Sequence, residues 1–438
     1  MQVVTLKAID EPAPEVVVHV GALSRLCPCA VDRGGGTLSL PPGLLAELGL
    51  EPGQLAHMAA HAGDRHVHLG PVVGVTLDPG ALIRALSGQT SRYRTLAQEA
   101  RDVGALLYLF DPSRADCDGG TTPALIPCGD GWEERSMPLP DVIYHRATYS
   151  DRDTRKQVQR LLRCICVLHG ATFINRPNGF SKLEVADALR FFPNTAELAP
   201  ETVAFTGPDD LEALLRRHGR VFIKADYGSH GSDVIRIIDR QDGCLVQGRF
   251  GGKEVAEVFT RRDQLQLFLT LLRAGTAWVV QQGIELPEVE DRLFDLRAIA
   301  QKDARGRWQV PLVLVRHARE GSVAANMAQG GTGFVADQVE ERFGDLAAEL
   351  PDLGELGREA AEKVAVALEA RFGLLGEIGV DIGVDRHGRP WIFEANAKPL
   401  HPTLPDLPHS LTRYPLEYAT HLAGRAWAGR YSGLPSLR

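Results

Sequence analysis

The sequence predicts a mixed α+β and α/β chain built of several subdomains, and three patterns predict it. Short alternating runs with one helical insert fill residues 1–70. Strand and helix alternate from residue 72 to 146. Far downstream, IGVDIGVDRHGRPWIFEANAKP at 378–399 places two alternating runs around a polar turn. At 438 residues the chain is longer than one hydrophobic core covers.

Composition narrows the function classes. A hydrophobic content of 44% with 24% charged residues is that of an ordinary globular protein and excludes a disordered one. The formal net charge of −8 argues against nucleic acid held by bulk electrostatics and is compatible with a small charged ligand held locally. The N-terminal MQVVTLKAIDEPAPEVV carries acidic residues and no apolar signal core, and no apolar run reaches the roughly 18 residues of a membrane span. A cytoplasmic protein without nucleic-acid or membrane partners is expected. The seven cysteines, at 27, 29, 117, 128, 164, 166 and 244, lack the usual C-x-x-C zinc spacing and read as structural free thiols. A zinc site from Cys27 and Cys29 with His57 or His61 is the alternative.

Residues 15–76 suggest a small β-barrel-like module with a Pro-started helix at 41–49. Its HVH at 66–68 reads as surface strand rather than metal site. VVGVTL, a helix at 91–103, ALLYLF, a Gly/Pro/Asp-rich loop at 111–140 and DVIYHR then form a small parallel α/β unit. A helix at 153–169 follows, and a second helix begins with a Ser181 cap. RVFIKADYGSHGSDVIRI reads as strand, glycine loop, strand. Gly228 and Gly231 would let backbone N–H groups approach phosphate, with Lys224 at the end of the first strand, although such a loop alone is commonly a plain turn. Neither a Walker P-loop nor a GxGxxG fingerprint occurs.

AWVVQQGIEL is an apolar strand ending in two amides. FDLRAIAQKDARGRWQVPLVLVRHA forms a hairpin that puts Arg297 and Arg316 on adjacent strands, where they either meet anions or snorkel to water. SVAANMAQGGTG supplies Asn326 and a glycine loop, and LGELGREAAEKVAVALEARFG is an amphipathic helix. In the final hairpin, a loop of His387 and Gly388 sets Asp381 opposite Glu394, with Asn396 on the same face. Two facing carboxylates with no Lys or Arg between them repel unless a cation intervenes, and Mg²⁺ is the economical cation for oxygen ligands. A solvated outer hairpin face is the alternative.

The order Lys182, Lys224 with its glycine loop, the amides at 281 and 282, Arg297, Arg316, Asn326, then Asp381, Glu394 and Asn396 resembles an ATP-grasp fold. The spacing from Asp381 to Glu394, followed by E-x-N, looks like the metal signature of the D-alanine–D-alanine ligase, glutathione synthetase and ribosomal-protein-modifying ligase relatives. LGPVVGVTL, PDVIYHR, VVQQGIEL, NMAQGGTG and IGVDIGVD with EANAKP resemble more narrowly the YheC/YheD endospore coat-associated family.

The resemblance implies two α+β subdomains clasping ATP, at 216–285 (small, glycine-loop) and 286–438 (large, metal-binding, with a C-terminal tail). A β-rich module at 1–70, an α/β pre-grasp domain at 71–150 and a helical linker at 151–215 would precede them. Lys182, Lys224, Gly228, Ser229, His230, Gly231 and Ser232 would bind phosphates, and Gln281, Gln282 and Ile284 would border adenine. Asp381, Glu394 and Asn396 would hold two Mg²⁺ ions, with Mn²⁺ as substitute and Glu394 bridging. Arg297, Arg316 and Asn326 would orient an acyl phosphate. The implied activity is an ADP-forming ligase joining a carboxylate to an amine of an amino acid, peptide or protein. A spore-coat structural protein that retains the ATP-binding fold is the alternative, and a kinase on the same fold is a third. Spore-coat proteins and a second copy of the chain are the further partners implied. The glycine loop departs from relatives at His230 and Asp233.

Overall fold

The computed structural model describes residues 1–9, 11–32, 34–61, 65–87, 91–149, 151–227, 234–272, 277–323, 325, 330–402, 404 and 407–431. The chain forms two compact units: Met1–Arg176 with Lys302–Arg307 and His409–Arg438, and Pro177–Gln301 with Trp308–Pro408.

In the first unit, a seven-stranded sheet has the spatial order Leu23–Pro28, Glu15–Val20, His66–Gly70, Leu55–His61, Gln2–Ala8, Thr37–Leu40, Ala30–Asp32. Val16, Val18 and Val20 are buried at alternate positions, as the period-two pattern requires. The HVH strand departs from its surface reading. His68 is buried, with its ring stacked on His19 at 4.4 Å and on Trp427 at 5.3 Å between centroids. Trp427 belongs to the helix Ser410–Tyr431, which is distant in sequence, so local alternation could not reveal what covers that face.

The second sheet of this unit runs Gly131–Pro138, Thr121–Cys128, Leu106–Phe110, Val72–Thr76, Val142–His145, Thr172–Phe173. Val72–Thr76 and Leu106–Phe110 pair in parallel and are buried throughout, which explains their continuous apolar runs. The expected loop at 111–140 is corrected to an antiparallel hairpin, Thr121–Cys128 with Gly131–Pro138. Its prolines at 123 and 127 suggested a loop. Thr122, Ala124 and Ile126 are nevertheless buried, and Gly129, at a φ of 52°, turns the chain back in the left-handed region that favours glycine.

In the second unit, an antiparallel sheet runs Thr202–Ala204, Trp278–Gln282, Arg220–Ala225, Val234–Arg240, Gly243–Phe250, Lys253–Phe259. Val221, Ile223, Ile235 and Ile237 pack beneath the helices Pro208–His218 and Arg262–Leu272 through Leu211, Leu215 and Leu269.

The other sheet runs Thr332–Val335, Trp308–His317, Arg292–Lys302, Glu377–Val384, Pro390–Asn396, with Glu288–Val289 paired to Arg292–Lys302. Leu296, Ala298, Ile378, Val380 and Ile382 form one core with Val185 and Leu189 of the helix Lys182–Phe191 and with Val364 and Leu368 of the helix Leu353–Phe372. A Cβ on Gly357 would come within 2.7 Å of Val313 Cγ1, so a glycine there lets the longer helix sit close on the sheet. Because the even-numbered residues of Arg292–Lys302 and Glu377–Val384 are spent on this core, the odd-numbered ones share the opposite face.

Candidate functional site

That opposite face carries the polar residues. Asp295, Arg297 and Gln301 alternate along one strand, Glu377, Gly379 and Asp381 along its neighbour, and Arg297 is register partner to Asp381. Asp381 lies opposite Glu394, as expected, but by another route. The turn spans Asp385 to Arg389, closed by the Asp385 N–H donating to Arg389 O at 3.0 Å, and the pairs Val384–Pro390 and Ile382–Ile392 follow from it. A register shift between Asp381 and Ile382 leaves Phe393 as the extra residue and brings Glu394 across from Asp381. The two-residue loop at His387 and Gly388 is corrected accordingly.

The expectation of carboxylates with no Lys or Arg between them is also corrected. Arg297 donates through Nε and Nη2 to Asp381, the second bond at 2.9 Å. Arg316 donates to Asp295 through Nε at 2.6 Å and Nη2 at 2.7 Å, and its Nη2 lies 3.3 Å from Asp381 Oδ2. Lys182 Nζ stands 3.5 Å from Glu394 Oε2, and Asn396 Nδ2 donates to Glu394 Oε1 at 3.0 Å. Arg316, Asp295 and Asp381 are each less than 10% exposed, so snorkelling to water is excluded for Arg316. Burial alone would raise Asp381, but Arg297 and Arg316 outweigh it and bring its carboxyl down to about 2. Burial would likewise make Arg316 less basic, and Asp295 and Asp381 reverse that, holding it above the usual guanidinium range.

Lys224 Nζ donates to Gln281 Oε1 at 2.7 Å and lies 5.2 Å from the Phe393 ring centroid. Burial lowers its ammonium to about 8, partly opposed by Glu394 and reinforced by Lys182. Lys182 is placed by a cap. Ser181 Oγ accepts from the Glu184 N–H and donates to Asp226 Oδ1 at 2.8 Å, while the Lys182 N–H donates to Asp226 O at 3.1 Å. Asp226 directly follows the Lys224 strand, so both lysines are tied to one anchor.

Gln281 is buried, and its Nε2 donates to Thr202 Oγ1 at 3.1 Å; Gln282 Oε1 accepts from the Glu201 N–H at 3.1 Å, and Ile284 is buried. The structure thus brings together Lys182, Lys224, Gln281, Arg297, Arg316, Asp381, Glu394 and Asn396. Gly228, Ser229, His230, Gly231, Ser232 and Asn326 lie outside the described residues. Asp226 and Asp295 were missed. The signal for Asp295 was present, since D-x-R on an apolar strand puts both charges on one face.

The donor set consists of hard oxygens and suits Mg²⁺ by type. In this arrangement Asp381 is engaged by two arginines, and among the described residues no group of three or more His, Cys, Asp or Glu side chains is disposed to hold a cation.

The family model for YheC/D-like ATP-grasp matches residues 170–422, more than half of the chain. The chain belongs to this family. Its fold is therefore ATP-grasp. Endospore coat-associated protein YheD of Bacillus subtilis (strain 168) is 26% identical over 403 residues, covering 89% of this chain and 86% of the relative. Endospore coat-associated protein YheC of the same strain is 22% identical over 313 residues, covering 69% and 83%. Among solved structures, D-cycloserine synthetase DcsG aligns with a TM-score of 0.47 at 15% identity, covering 81% of this chain and 99% of that one. Among the described residues no helix is long and apolar enough to cross a membrane.

Proposed function

We propose that this YheC/D-like ATP-grasp chain is an ATP- and Mg²⁺-dependent ligase that joins a carboxylate to an amine through an acyl phosphate. The observation that supports it is the convergence of Lys182, Lys224, Arg297 and Arg316 with Asp295, Asp381 and Glu394 on one face. With every group ionised this set carries one excess positive charge, and it includes a partly buried lysine, Lys224, whose ammonium is lowered to about 8 and which gains from meeting an anion. A nucleoside triphosphate supplies that anion.

In this reading Lys182 and Lys224 bind the phosphates, with the loop from Gly228 to Ser232 over them, and Gln281, Gln282 and Ile284 border the adenine. Asp381, Glu394 and Asn396 hold Mg²⁺, two ions in the fullest form, and the metal supplies charge neutralisation as the γ-phosphoryl leaves. The substrate carboxylate oxygen attacks the γ-phosphorus and ADP departs. The amine nitrogen then bonds to the acyl carbon, and inorganic phosphate leaves with the electron pair of the broken C–O bond. Arg297, Arg316 and Asn326 orient the acyl phosphate and stabilise the oxyanion of the adduct. Positioning and electrostatics carry the rate, so no side-chain nucleophile is needed. The names of YheD and YheC support a spore-associated location; a peptide or spore-associated polymer as substrate and a cytoplasmic site of action complete the proposal.

The second reading, a coat scaffold that keeps the fold without turnover, is favoured by one observation: Asp381 is paired with Arg297, and Glu394 meets Lys182 and Asn396, without a metal. Release of ADP and free phosphate, assayed with Mg²⁺, pooled amino acids and short peptides, separates the readings. A ligase yields both products only when acid and amine are present, a kinase yields ADP without free phosphate, and a scaffold yields neither. Lys224→Ala is expected to weaken ATP binding by roughly 10- to 100-fold, the loss of one charge-assisted contact. Unchanged affinity in an ATP titration removes Lys224 from the nucleotide site.

A further inference from the structure

Lys182 and Lys224 come together from two different cores. Lys182 begins the helix Lys182–Phe191, whose Val185 and Leu189 pack in one core with Leu296 and Ile378. Lys224 stands near the end of the strand Arg220–Ala225, whose Val221 and Ile223 pack in another with Leu211 and Leu269. Packing within each core does not fix one lysine against the other. Asp226 does.

Asp226 is only 8% exposed, and its backbone belongs to the strand side. Its N–H donates to Ala277 O at 2.8 Å, next to the paired residues Ala225 and Trp278. Its carbonyl and carboxylate turn instead to the helix start. Asp226 O accepts from the Lys182 N–H at 3.1 Å, and Asp226 Oδ1 accepts from the Leu183 N–H at 3.0 Å and from Ser181 Oγ at 2.8 Å. The first N–H groups of a helix have no partner within it. Here Asp226 takes those of Lys182 and Leu183, and Ser181 Oγ takes that of Glu184. Three consecutive residues centred on Lys182 are thereby held by a residue two places after Lys224.

A carboxylate so close to Lys224 repels a triphosphate unless its charge is met elsewhere. Oδ1 is engaged by an N–H at a helix N-terminus, where negative charge is stabilised, and by the buried Ser181 hydroxyl. Asp226 is therefore placed to support the lysines and not to touch the anion between them.

We propose that Asp226 is a positioning residue for the nucleotide, fixing Lys182 against Lys224 so that the two ammonium groups meet the triphosphate as a preformed pair. This rests on the ligase reading above, with ATP as the ligand of the two lysines. The support works against like-charge repulsion, since Lys182 is one of the groups that lower Lys224. Without the Asp226 side chain the Leu183 N–H turns to water and Lys182 loses its fixed place. Ordering that long side chain again then opposes ATP binding.

Titration of the full chain with ATP and Mg²⁺, in a double-variant cycle, tests this. Asp226→Ala should weaken ATP binding about 10-fold, whereas Asp226→Asn, whose amide oxygen accepts the same two bonds, should stay within about 3-fold of wild type. Lys182→Ala should weaken it by about 10-fold or more, and adding Asp226→Ala should then cause no further loss, because the group through which Asp226 acts is gone. Four results overturn the role of Asp226 and leave the ligase reading standing. They are a full additional loss in the double variant, an Asn variant as weak as the Ala variant, an Ala variant that binds as well as wild type or better, and unchanged affinity in Lys182→Ala. If Asp226→Ala does not fold, Ser181→Ala reads the same link, with a loss of about 3-fold that vanishes in the Lys182→Ala background. No loss, or one that persists there, overturns the proposal equally. A wild-type protein that binds no ATP overturns both the proposal and the ligase reading.

Discussion

Glu394→Gln is expected to abolish Mg²⁺-dependent ADP formation, by about 10³-fold or more, while leaving the urea midpoint of the protein nearly unchanged. The two outcomes separate because the residue has two kinds of contact. Its bond with Asn396 is neutral on one side and survives as an amide pair, and its 3.5 Å approach to Lys182 is a long ion pair of small worth to folding. What the amide cannot replace is the charge. Without it the lysines and the phosphates lose the group that Mg²⁺ would share, and the field around Lys224 changes, since Glu394 is the first of the groups that oppose its loss of a proton. ADP and phosphate release beside a urea titration checks both halves. Turnover retained in the variant removes the hairpin from the mechanism.

Asp295→Ala is expected to cost roughly 3–5 kcal/mol of stability. Among the described residues Arg316 would keep only its 3.3 Å contact with Asp381 and lose two charge-assisted bonds at 2.6 and 2.7 Å, leaving a guanidinium in an environment that water barely reaches. Several kcal/mol of desolvation then stand uncompensated. Adding Arg316→Met should recover much of the loss, because removing both partners leaves no unpaired charge. Urea unfolding of the single and double variants measures this. A double variant no more stable than Asp295→Ala shows that the pair is not coupled as described.

The arginine pairs also explain why the hairpin was readable and its chemistry was not. Alternation in IGVDIGVD and WIFEANA marks the two strands and their polar positions from local pattern alone, whereas the bulge at Phe393 is what sets Glu394 across from Asp381; the Ser181 cap is local. The partners of Asp381 come from strands that begin far earlier in the chain, and only strand order sets Arg292–Lys302 beside Glu377–Val384. A carboxylate that in isolation calls for a cation meets two guanidinium groups once the sheet is assembled. Asp295 lies on a hairpin that the sequence does predict, and D-x-R puts it on the face of Arg297; its bond to Arg316 is what the assembled sheet adds.

By itself the sequence determined most of the strand and helix pattern, the polar positions of the last hairpin and membership in a family whose motifs run in a set order. Tertiary structure decided the rest: the bulge at Phe393 that gives the hairpin its register, the pairing of Arg297 and Arg316, the burial that lowers Lys224, and the hold of Asp226 on the start of the Lys182 helix. The division has a physical cause. Periodicity is a property of neighbours along the chain, whereas desolvation and ion pairing depend on which strands lie side by side and what covers them.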